Sequence, residues 1–224
     1  MKPGDTKLAD PRDLPNYGVA EAALYLNIPA STIRAWLLGR RGARPVTTIA
    51  QPRPPALSFF NLVEVHVLDA MRAERVPMQA IRRALEYVER ELHIERPLIN
   101  ERFQTDGVNL FVERCGQLVN ATGNGQIAMR AILRDYLRRI EFGRDHVAVR
   151  LFPLAPQLER SDRRPVMFDP RVAFGRLVIA GTGVPTDVIA SRHRAGESVA
   201  DLARDYDLNR QQIEDALAWE RLAA

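Results

Sequence analysis

Five arginines lie close together near the start of the chain, in a stretch with no acidic residue between Ala22 and Val63. They are Arg34, Arg40, Arg41, Arg44 and Arg53. Guanidinium groups bind phosphate oxygens, so a run of positive charge without acids is typical of a surface that contacts nucleic acid. A basic loop that is simply solvated is the alternative interpretation.

The stretch from Tyr17 to Leu38 is predicted to position these arginines, as two short helices joined by a turn. One face of the first helix is apolar at the spacing i, i+3, i+4, i+7. Its residues are Val19, Ala22, Ala23 and Leu26. Residues 27–30 are predicted to form the turn, with Ile28 filling the corner. Any helical hairpin would show this pattern, and that is the other interpretation.

The second helix is predicted to enter the major groove of DNA. Ser31 can cap it by accepting a backbone N–H, and Trp36 is expected to face the first helix together with its apolar neighbours. This leaves Thr32, Arg34 and Ala35 on the face that a recognition helix presents to base pairs. The predicted DNA-contacting residues are Ser31, Thr32, Arg34, Ala35, Arg40, Arg41, Arg44 and Arg53.

Two β-prone runs follow, at residues 46–49 and 56–60, with a proline-rich loop between them. Proline suits a loop tip and not a central strand. Two strands with a basic loop directly after a helix-turn-helix make a wing. Wings contact the DNA backbone or the minor groove, so Arg53 is expected to position the protein rather than to read sequence.

Two further helices are predicted, one from Asn61 with Glu64 as capping-box partner, and one opened by Pro77. Apolar residues in the second alternate at spacings of three and four, which is an a/d seam of about two heptads. The seam consists of Met78, Ile81, Leu85, Val88 and Leu92. It indicates either a homodimer seam or a helix packed on its own domain, and the sequence leaves both open.

The middle of the chain is predicted to be a small α/β region. Residues 103–122 suggest a strand hairpin that turns at Cys115, residues 126–142 a helix, and residues 146–154 a strand. Arg130, Arg134 and Arg138 repeat at i, i+4, i+8 along that helix. Such a stripe indicates either solvated surface or a binding face.

The carboxyl-terminal part is predicted to be a compact helical module after a linker at residues 155–164. Pro185 and Thr186 start its first helix, and Ser198 and Asn209 cap the next two. These helices again suggest a helix-turn-helix. However, residues 197–224 hold seven acidic residues against three arginines, a net charge of −4. Acids near phosphates oppose binding, so a protein contact is favoured here over DNA.

Composition bounds the remaining possibilities. The chain has 224 residues, 46% of them hydrophobic, and a net charge of +4. Its single cysteine excludes an internal disulfide, and no apolar run reaches the roughly 18 residues that span a bilayer. A cytoplasmic protein is therefore expected. The four histidines are scattered, and no nucleotide-binding or nucleophile motif is present. These observations argue against an enzyme, and no metal or cofactor is predicted.

The predicted fold class is α+β and mainly helical. Four segments are expected: a flexible tail at 1–15, a winged helix-turn-helix at 16–95, an α/β middle region with linker at 96–160, and a helical domain at 165–224.

Residues of about 17 to 92 resemble the winged helix-turn-helix of MerR-type regulators. The resemblance rests on "YGVAEAALYLNIPASTIRAWL" and "LSFFNLVEVHVLDAMRAERVPMQAIRRAL". It implies DNA binding. The wing here is longer and richer in proline than in that family, and no cysteine ends the later helix, which does not match a metal sensor.

Residues 174–220 resemble the helical domain of unknown function numbered 433, through "IAGTGVP", "AGES" and "LARDYDLNRQQIEDAL". Gly183 stands where many relatives have arginine. That family occurs in antitoxins encoded beside PIN-like ribonuclease toxins. Together the resemblances imply a VapB-type antitoxin that binds operator DNA as an autorepressor, as a homodimer. A stand-alone regulator that senses a small ligand, and a pure adaptor with a degenerate winged helix, are the alternatives.

PIN-like nucleases hold metal with clustered acids, so the resemblance also implies that basic side chains of the antitoxin cover that site. The candidate toxin-binding residues are Arg130, Arg134, Arg138, Arg192 and Arg194.

Overall fold

The computed structural model describes residues 10–154 and 163–222, and most of the predicted tail and linker therefore lies outside the described residues. The fold is α+β and mainly helical, with two small antiparallel sheets among these residues. No helix in the described parts of the chain is long and apolar enough to cross a bilayer.

The amino-terminal helix-turn-helix is present as predicted, with α1 at Val19–Leu26 and α2 at Ala30–Leu38. It is flanked by a three-stranded sheet in the order β1-β3-β2, made of Tyr17–Gly18, Pro55–Leu57 and Gln51–Pro52. The first wing strand was predicted at residues 46–49 but forms later in the chain, at Gln51–Pro52. β2 lies within the proline-rich stretch, because an edge strand does not need the N–H that proline lacks.

Helix α3, Phe59–Ala73, runs through the centre of the molecule, with its first thirteen residues buried. It begins two residues before the predicted start. The hydroxyl of Ser58 accepts a hydrogen bond from the backbone N–H of Asn61 at 3.2 Å, and the side-chain oxygen of Asn61 accepts one from the backbone N–H of Ser58. Asn61 is thus the third residue of the capping box and not its first.

Helix α4, Met78–Leu92, carries the a/d seam on its inner face. Ile81 and Val88 are fully buried within a single chain, Leu85 is 6% exposed, and Met78 and Leu92 pack against the same core. Most of this face packs on α5. Side chains already covered in this way are not available to a second chain, so the seam is a helix packed on its own domain, and its use as a homodimer seam is corrected.

The hairpin predicted at residues 103–122 is wrong. A π-helical turn, Phe103–Gly107, leads into α5, Val108–Val119, with Cys115 and Gly116 buried in its last turns. β-branched and aromatic residues favoured strands in the prediction, but the buried positions of α5 recur at helical spacing. Helix α6, Gly123–Leu137, starts earlier than predicted because Thr122 caps it through the Gly125 N–H.

The second sheet joins the middle region to the carboxyl-terminal part. Its order is β4-β5-β6-β7, all antiparallel. The strands are Ile140–Phe142, Ala148–Leu151, Val166–Phe168 and Leu177–Ile179. The first two precede residues 155–162 and the last two follow them. Strand pairing therefore holds the two parts of the chain together.

Three helices complete the carboxyl-terminal part: α7, Thr186–Arg194, α8, Val199–Asp205, and α9, Arg210–Leu222. The predicted caps are confirmed. Ser198 accepts the N–H of Asp201 at 3.1 Å, and Asn209 exchanges two hydrogen bonds with Gln212. These helices enclose a small apolar core of their own around Ile189, separate from the main core that extends from the helix-turn-helix to β7.

His66 on α3 is buried and satisfied, as expected for a core histidine. Its Nε2 lies 3.0 Å from the carbonyl of Tyr136 on α6. Burial lowers the pKa of His66 from 6.5 to about 4. The unfolded chain therefore takes up this proton at a higher pH than the folded chain, and folding stability is lost as the pH falls from about 6.5 towards 4.

We expect this histidine to shape acid unfolding. One pKa unit corresponds to about 1.4 kcal/mol, so the free energy of unfolding should fall by about 2 kcal/mol between neutral pH and pH ~5. Urea unfolding at a series of pH values measures the loss, and His66→Gln should reduce its slope. His193→Gln, at an exposed histidine, serves as control. An equal slope for wild type and His66→Gln would contradict this prediction.

Candidate nucleic-acid interface

The turn between α1 and α2 fixes the angle of the predicted recognition helix. Asn27 adopts a left-handed conformation, φ 53°, and its N–H binds the carbonyls at the end of α1. Ile28 fills the corner at 2% exposure, as predicted. Trp36 and the apolar residues on either side of it, Ile33 and Leu37, are buried at 3% exposure or less. Packing therefore determines which face of α2 remains outside.

The outer face of α2 carries the predicted groups. Ser31 and Arg34 are exposed, and Thr32 and Ala35 are half-buried. One detail is corrected: Ser31 is not the cap, because α2 begins at Ala30 after Pro29 and no side chain caps it. The Ser31 hydroxyl has no role in capping and is available to an external acceptor. A hydroxyl and a guanidinium on one exposed helix face suit contacts to phosphate and base edges.

A tight turn directly after α2 presents two arginines. The backbone groups of Arg40 and Ala43 bind each other at 3.0 and 2.8 Å, which places Arg41 and Gly42 at the tip. Gly39 must be glycine, because its φ is +76° and a Cβ there would lie 2.6 Å from the Ala43 carbonyl oxygen. The turn thus holds Arg40 and Arg41 beside the end of the recognition helix.

Residues 44–50, which lead into the wing, are tied to the helices behind them. The Asn61 amide donates to the Thr48 carbonyl at 2.8 Å, and its oxygen accepts the Ala50 N–H at 2.9 Å. From α4, Arg82 donates to the carbonyls of Arg44 and Pro45. Neither set of contacts was predicted from the sequence, although a polar residue such as Asn61 in the first turn of a hydrophobic helix was a signal. The basic loop therefore has a defined position relative to α2.

Arg82 is predicted to act by positioning the loop that carries Arg44. In Arg82→Met the two carbonyl contacts are lost, so the loop becomes less ordered before it binds DNA. We expect affinity for DNA to fall by about tenfold, roughly 1.4 kcal/mol, with little change in melting temperature. Arg83→Met is the matched control, since it removes the same charge from an exposed neighbour. If both variants lose the same affinity for DNA, Arg82 contributes only its charge and does not position the loop.

The basic side chains of this region are free to meet an anion. Arg34, Arg40, Arg41, Arg44 and Arg53 are all exposed, and no carboxylate within the described residues pairs with them. Several arginines elsewhere in the chain do pair with acids, such as Arg12 with Asp10 and Asp145, and Arg150 with Asp169. Unpaired guanidinium groups keep their full attraction for phosphate. The predicted DNA-contacting residues thus lie on the helix-turn-helix, the turn after it, the loop of residues 44–50 and the wing.

A buried ion pair supports the interface from behind. The carboxylate of Glu64, 2% exposed, accepts two bonds from Arg96 at 2.9 and 3.0 Å and one from Asn61 at 2.9 Å. Burial opposes the charge of Arg96, but its bonds to Glu64 and Asp13 outweigh that effect and raise its pKa above the ordinary value. The pair thereby fixes Asn61, which holds the wing loop. The separation of 32 residues hid this pair from sequence analysis.

The acidic character of α9 is largely internal. Asp215 is 7% exposed and pairs with Arg163, and Glu220 accepts the hydroxyls of Thr186 at 2.6 Å and Tyr25 at 3.2 Å. Glu214, the third acid considered on this helix, pairs with Arg210 at 2.7 Å. All three acids therefore have partners within the chain, which weakens the expectation that they repel DNA. The Tyr25 contact instead ties α9 to the back of the helix-turn-helix.

The five candidate toxin-binding arginines are distributed over two elements. On α6, Arg130 donates to Asn109 at 2.9 Å, Arg134 is exposed, and Arg138 lies 3.5 Å from Asp135. On α7, Arg192 pairs with Glu197 and Asp205 and stacks over Tyr206.

Arg192 therefore holds the carboxyl-terminal helices together and is not a free contact. Arg194 is exposed and donates to a backbone carbonyl of its own helix. No ion pair or hydrogen bond among the described residues joins the α6 and α7 groups.

These features define the class of the protein: a DNA-binding regulator with a helix-turn-helix and a basic wing, joined to a helical carboxyl-terminal domain. Two family models agree with that division. Residues 15–85 match a model described as "Putative DNA-binding HTH domain", and residues 166–219 match "Protein of unknown function (DUF433)".

The chain belongs to the same family as the "Putative antitoxin VapB45" of Mycobacterium tuberculosis, to which it is 32% identical over 96% of this chain and 97% of that protein. The "Uncharacterized protein Rv2308" of the same organism is 26% identical over 92% of this chain and 90% of its own. The crystal structure of Rv2018 from that organism has the same fold, with a TM-score of 0.73 and 28% identity over 91% of this chain and 98% of that one. The antitoxin name and the DNA-binding domain favour a regulator that is not an enzyme.

Proposed function

We propose that the protein is the antitoxin of a type II toxin–antitoxin system, that it neutralises a PIN-like ribonuclease, and that it represses its own operon as a homodimer. The observation that carries the DNA-binding part is a surface of five exposed arginines that have no carboxylate partner in the described chain. They extend from α2 through the following turn and the loop that Asn61 and Arg82 hold, to the wing. The name of the VapB45 relative supports the antitoxin part.

Operator recognition follows from this geometry. The outer face of α2 reads base edges in the major groove, while Arg40, Arg41 and Arg53 bind phosphates and fix the register. A single helix of this length reads few base pairs, so specificity requires two half-sites and hence two chains. Repression then follows when the bound dimer covers the promoter.

Neutralisation of the toxin is the second part of the proposal. A PIN-like nuclease holds metal in a cluster of carboxylates, and basic side chains placed there compete with the metal for those carboxylates and block entry of RNA. The exposed arginines Arg134 and Arg138 at the end of α6 offer such charges, and Arg130 and Arg194 are the remaining candidates.

The experiment is to purify the tagged protein from its native locus and to identify bound proteins by mass. We expect a small nuclease bound in stoichiometric amount. In a gel-shift assay the protein should bind its promoter fragment, and with higher affinity when that nuclease is present. A protein that binds neither its promoter nor the product of a neighbouring gene would overturn the proposal.

One observation favours a second candidate function, a stand-alone regulator that senses a small ligand. A cavity of about 490 Å³ lies between residues 44–50, α4 and the segment of Arg96 to Leu98. This volume falls in the range of ligand pockets. A ligand there would contact the loop that carries Arg44. This candidate predicts promoter binding without a protein partner, and a melting temperature that a small molecule raises.

A further inference from the structure

An exposed aromatic side chain stands at the junction between the carboxyl-terminal domain and the helix-turn-helix. Phe174 is 92% exposed, the highest exposure among the large apolar side chains of the described chain. It is also in a left-handed conformation, φ 56° and ψ 31°, between Ala173 and Gly175, which have positive φ as well. This conformation costs a residue with a side chain about 1 kcal/mol or more.

The amino-terminal segment holds this strained tip in place. The Asn16 amide donates to the Phe174 carbonyl at 2.6 Å, and the hydroxyl of Tyr17 donates to the Gly175 carbonyl at 2.7 Å. Tyr17 is buried and packs edge-on against Phe168 at 5.6 Å. A Cβ at Gly175 would lie 2.6 Å from the Tyr17 oxygen. Phe174 is therefore presented rigidly, which reduces the entropy it would lose in a contact.

An apolar cleft lies next to this ring. It has a volume of about 240 Å³ and is lined by Pro11, Leu14, Pro15 and Pro170 together with Phe174, with Tyr17 and Phe59 beneath. Leu14 is itself 46% exposed. An apolar cavity of roughly 150 Å³ is enough to take up a benzene ring. We call Pro11, Leu14, Pro15, Pro170 and Phe174 the Phe174 face.

We propose that the Phe174 face is the surface through which two copies of this chain associate, with each Phe174 entering the cleft of the other copy. A twofold contact uses the same patch on both partners, so the patch must be complementary to itself. This face carries both a protruding ring and a cleft that fits one.

The charges around the face favour a second copy over an acidic partner. The charged residues next to those of the face along the chain have both signs: Asp10 and Asp13 are carboxylates, and Arg12 and Arg171 are cations. Asp10 and Arg12 already pair with each other. Two copies can therefore approach each other through the Phe174 face without bringing a surface of a single charge against another of the same sign.

The proposal rests on the proposed function in one respect, since operator binding calls for two recognition helices. The α4 seam cannot supply that contact because it is buried in its own chain. An aromatic anchor in an apolar cleft is the typical high-energy contact of a protein interface. The Phe174 face therefore supplies a dimer contact that the seam does not.

The test is sedimentation equilibrium of the full chain over a range of concentrations, without DNA. We expect a dimer for the wild type, and a dissociation constant at least about 100-fold higher for Phe174→Gly, because both anchors are lost. Leu14→Asp should weaken association as well. Ile127→Ser, at another exposed apolar side chain on α6, is the matched control and should leave association unchanged.

Phe174→Gly should also fold well, because glycine relieves the left-handed strain. Its melting temperature, measured where the wild type is dissociated, should not fall. A wild type that is monomeric at its highest soluble concentration, or a Phe174→Gly variant that associates as tightly as the wild type, would overturn the proposal. A Phe174→Gly variant that still forms the dimer but no longer binds another protein would also overturn the proposal, since Phe174 would then be the anchor for that protein.

The outcomes also separate this proposal from the proposed function. A dimer that depends on Phe174 but does not shift the promoter fragment would support the interface and remove the autorepressor. A monomer that still binds its operator and its toxin would do the reverse.

Discussion

Arg34→Ala combined with Arg41→Ala should weaken binding to the promoter fragment by about 100- to 1,000-fold at low salt. Arg34 projects from the recognition helix and Arg41 from the tip of the turn that follows it, and neither has a carboxylate partner in the described chain. An arginine contact to base or phosphate is worth roughly 1–3 kcal/mol, and each phosphate contact adds about 0.9 to the salt slope. Fluorescence anisotropy over a salt series measures both quantities.

A matched control separates contact from net charge. Arg90→Ala with Arg221→Ala removes the same two charges from exposed positions at the ends of α4 and α9. This variant should lose only a few-fold in affinity and keep its salt slope. If both double variants lose affinity equally, binding is a diffuse charge effect and α2 is not the recognition helix. If neither loses affinity, the winged helix is degenerate and the protein is an adaptor.

Arg96→Met should lower the free energy of unfolding by about 3–5 kcal/mol. The variant leaves the carboxylate of Glu64, 2% exposed, without its cation in the interior. A buried charge left without its partner lowers the free energy of unfolding far more than the loss of a surface ion pair does. Urea unfolding measures the change. Arg72→Met is the control, because Arg72 pairs with Asp69 but is 46% exposed, and it should cost at most about 1 kcal/mol.

A double variant tests the cause of that loss. Glu64→Gln with Arg96→Met removes the buried charge together with its partner, so it should recover part of the stability that Arg96→Met loses. Because Glu64 also binds the amide of Asn61, which holds the wing loop, Arg96→Met should weaken DNA binding even where it remains folded. A stable Arg96→Met protein would show that water or another group compensates Glu64.

The sequence by itself determined the elements whose signals are local. The helical spacing of apolar residues located α1 and α2, and the side chains of Ser198 and Asn209 marked the starts of α8 and α9, because a cap acts within three residues. The resemblances to known families identified both terminal domains, and the family models match those two parts of the chain.

Only the tertiary structure decided what distant residues do to each other. Local propensity favoured strands in the segment that forms α5. A helix forms there instead, because burial against α4 and α6 outweighs the preference of β-branched residues for strands. Periodicity showed that α4 has an apolar seam but not whether the same chain or another covers it. Likewise, charge counting could not show that Glu220 faces Tyr25, or that Phe174 is held outside by Asn16. These contacts join residues more than 150 positions apart, and no local pattern in the sequence records which pairs the fold brings together.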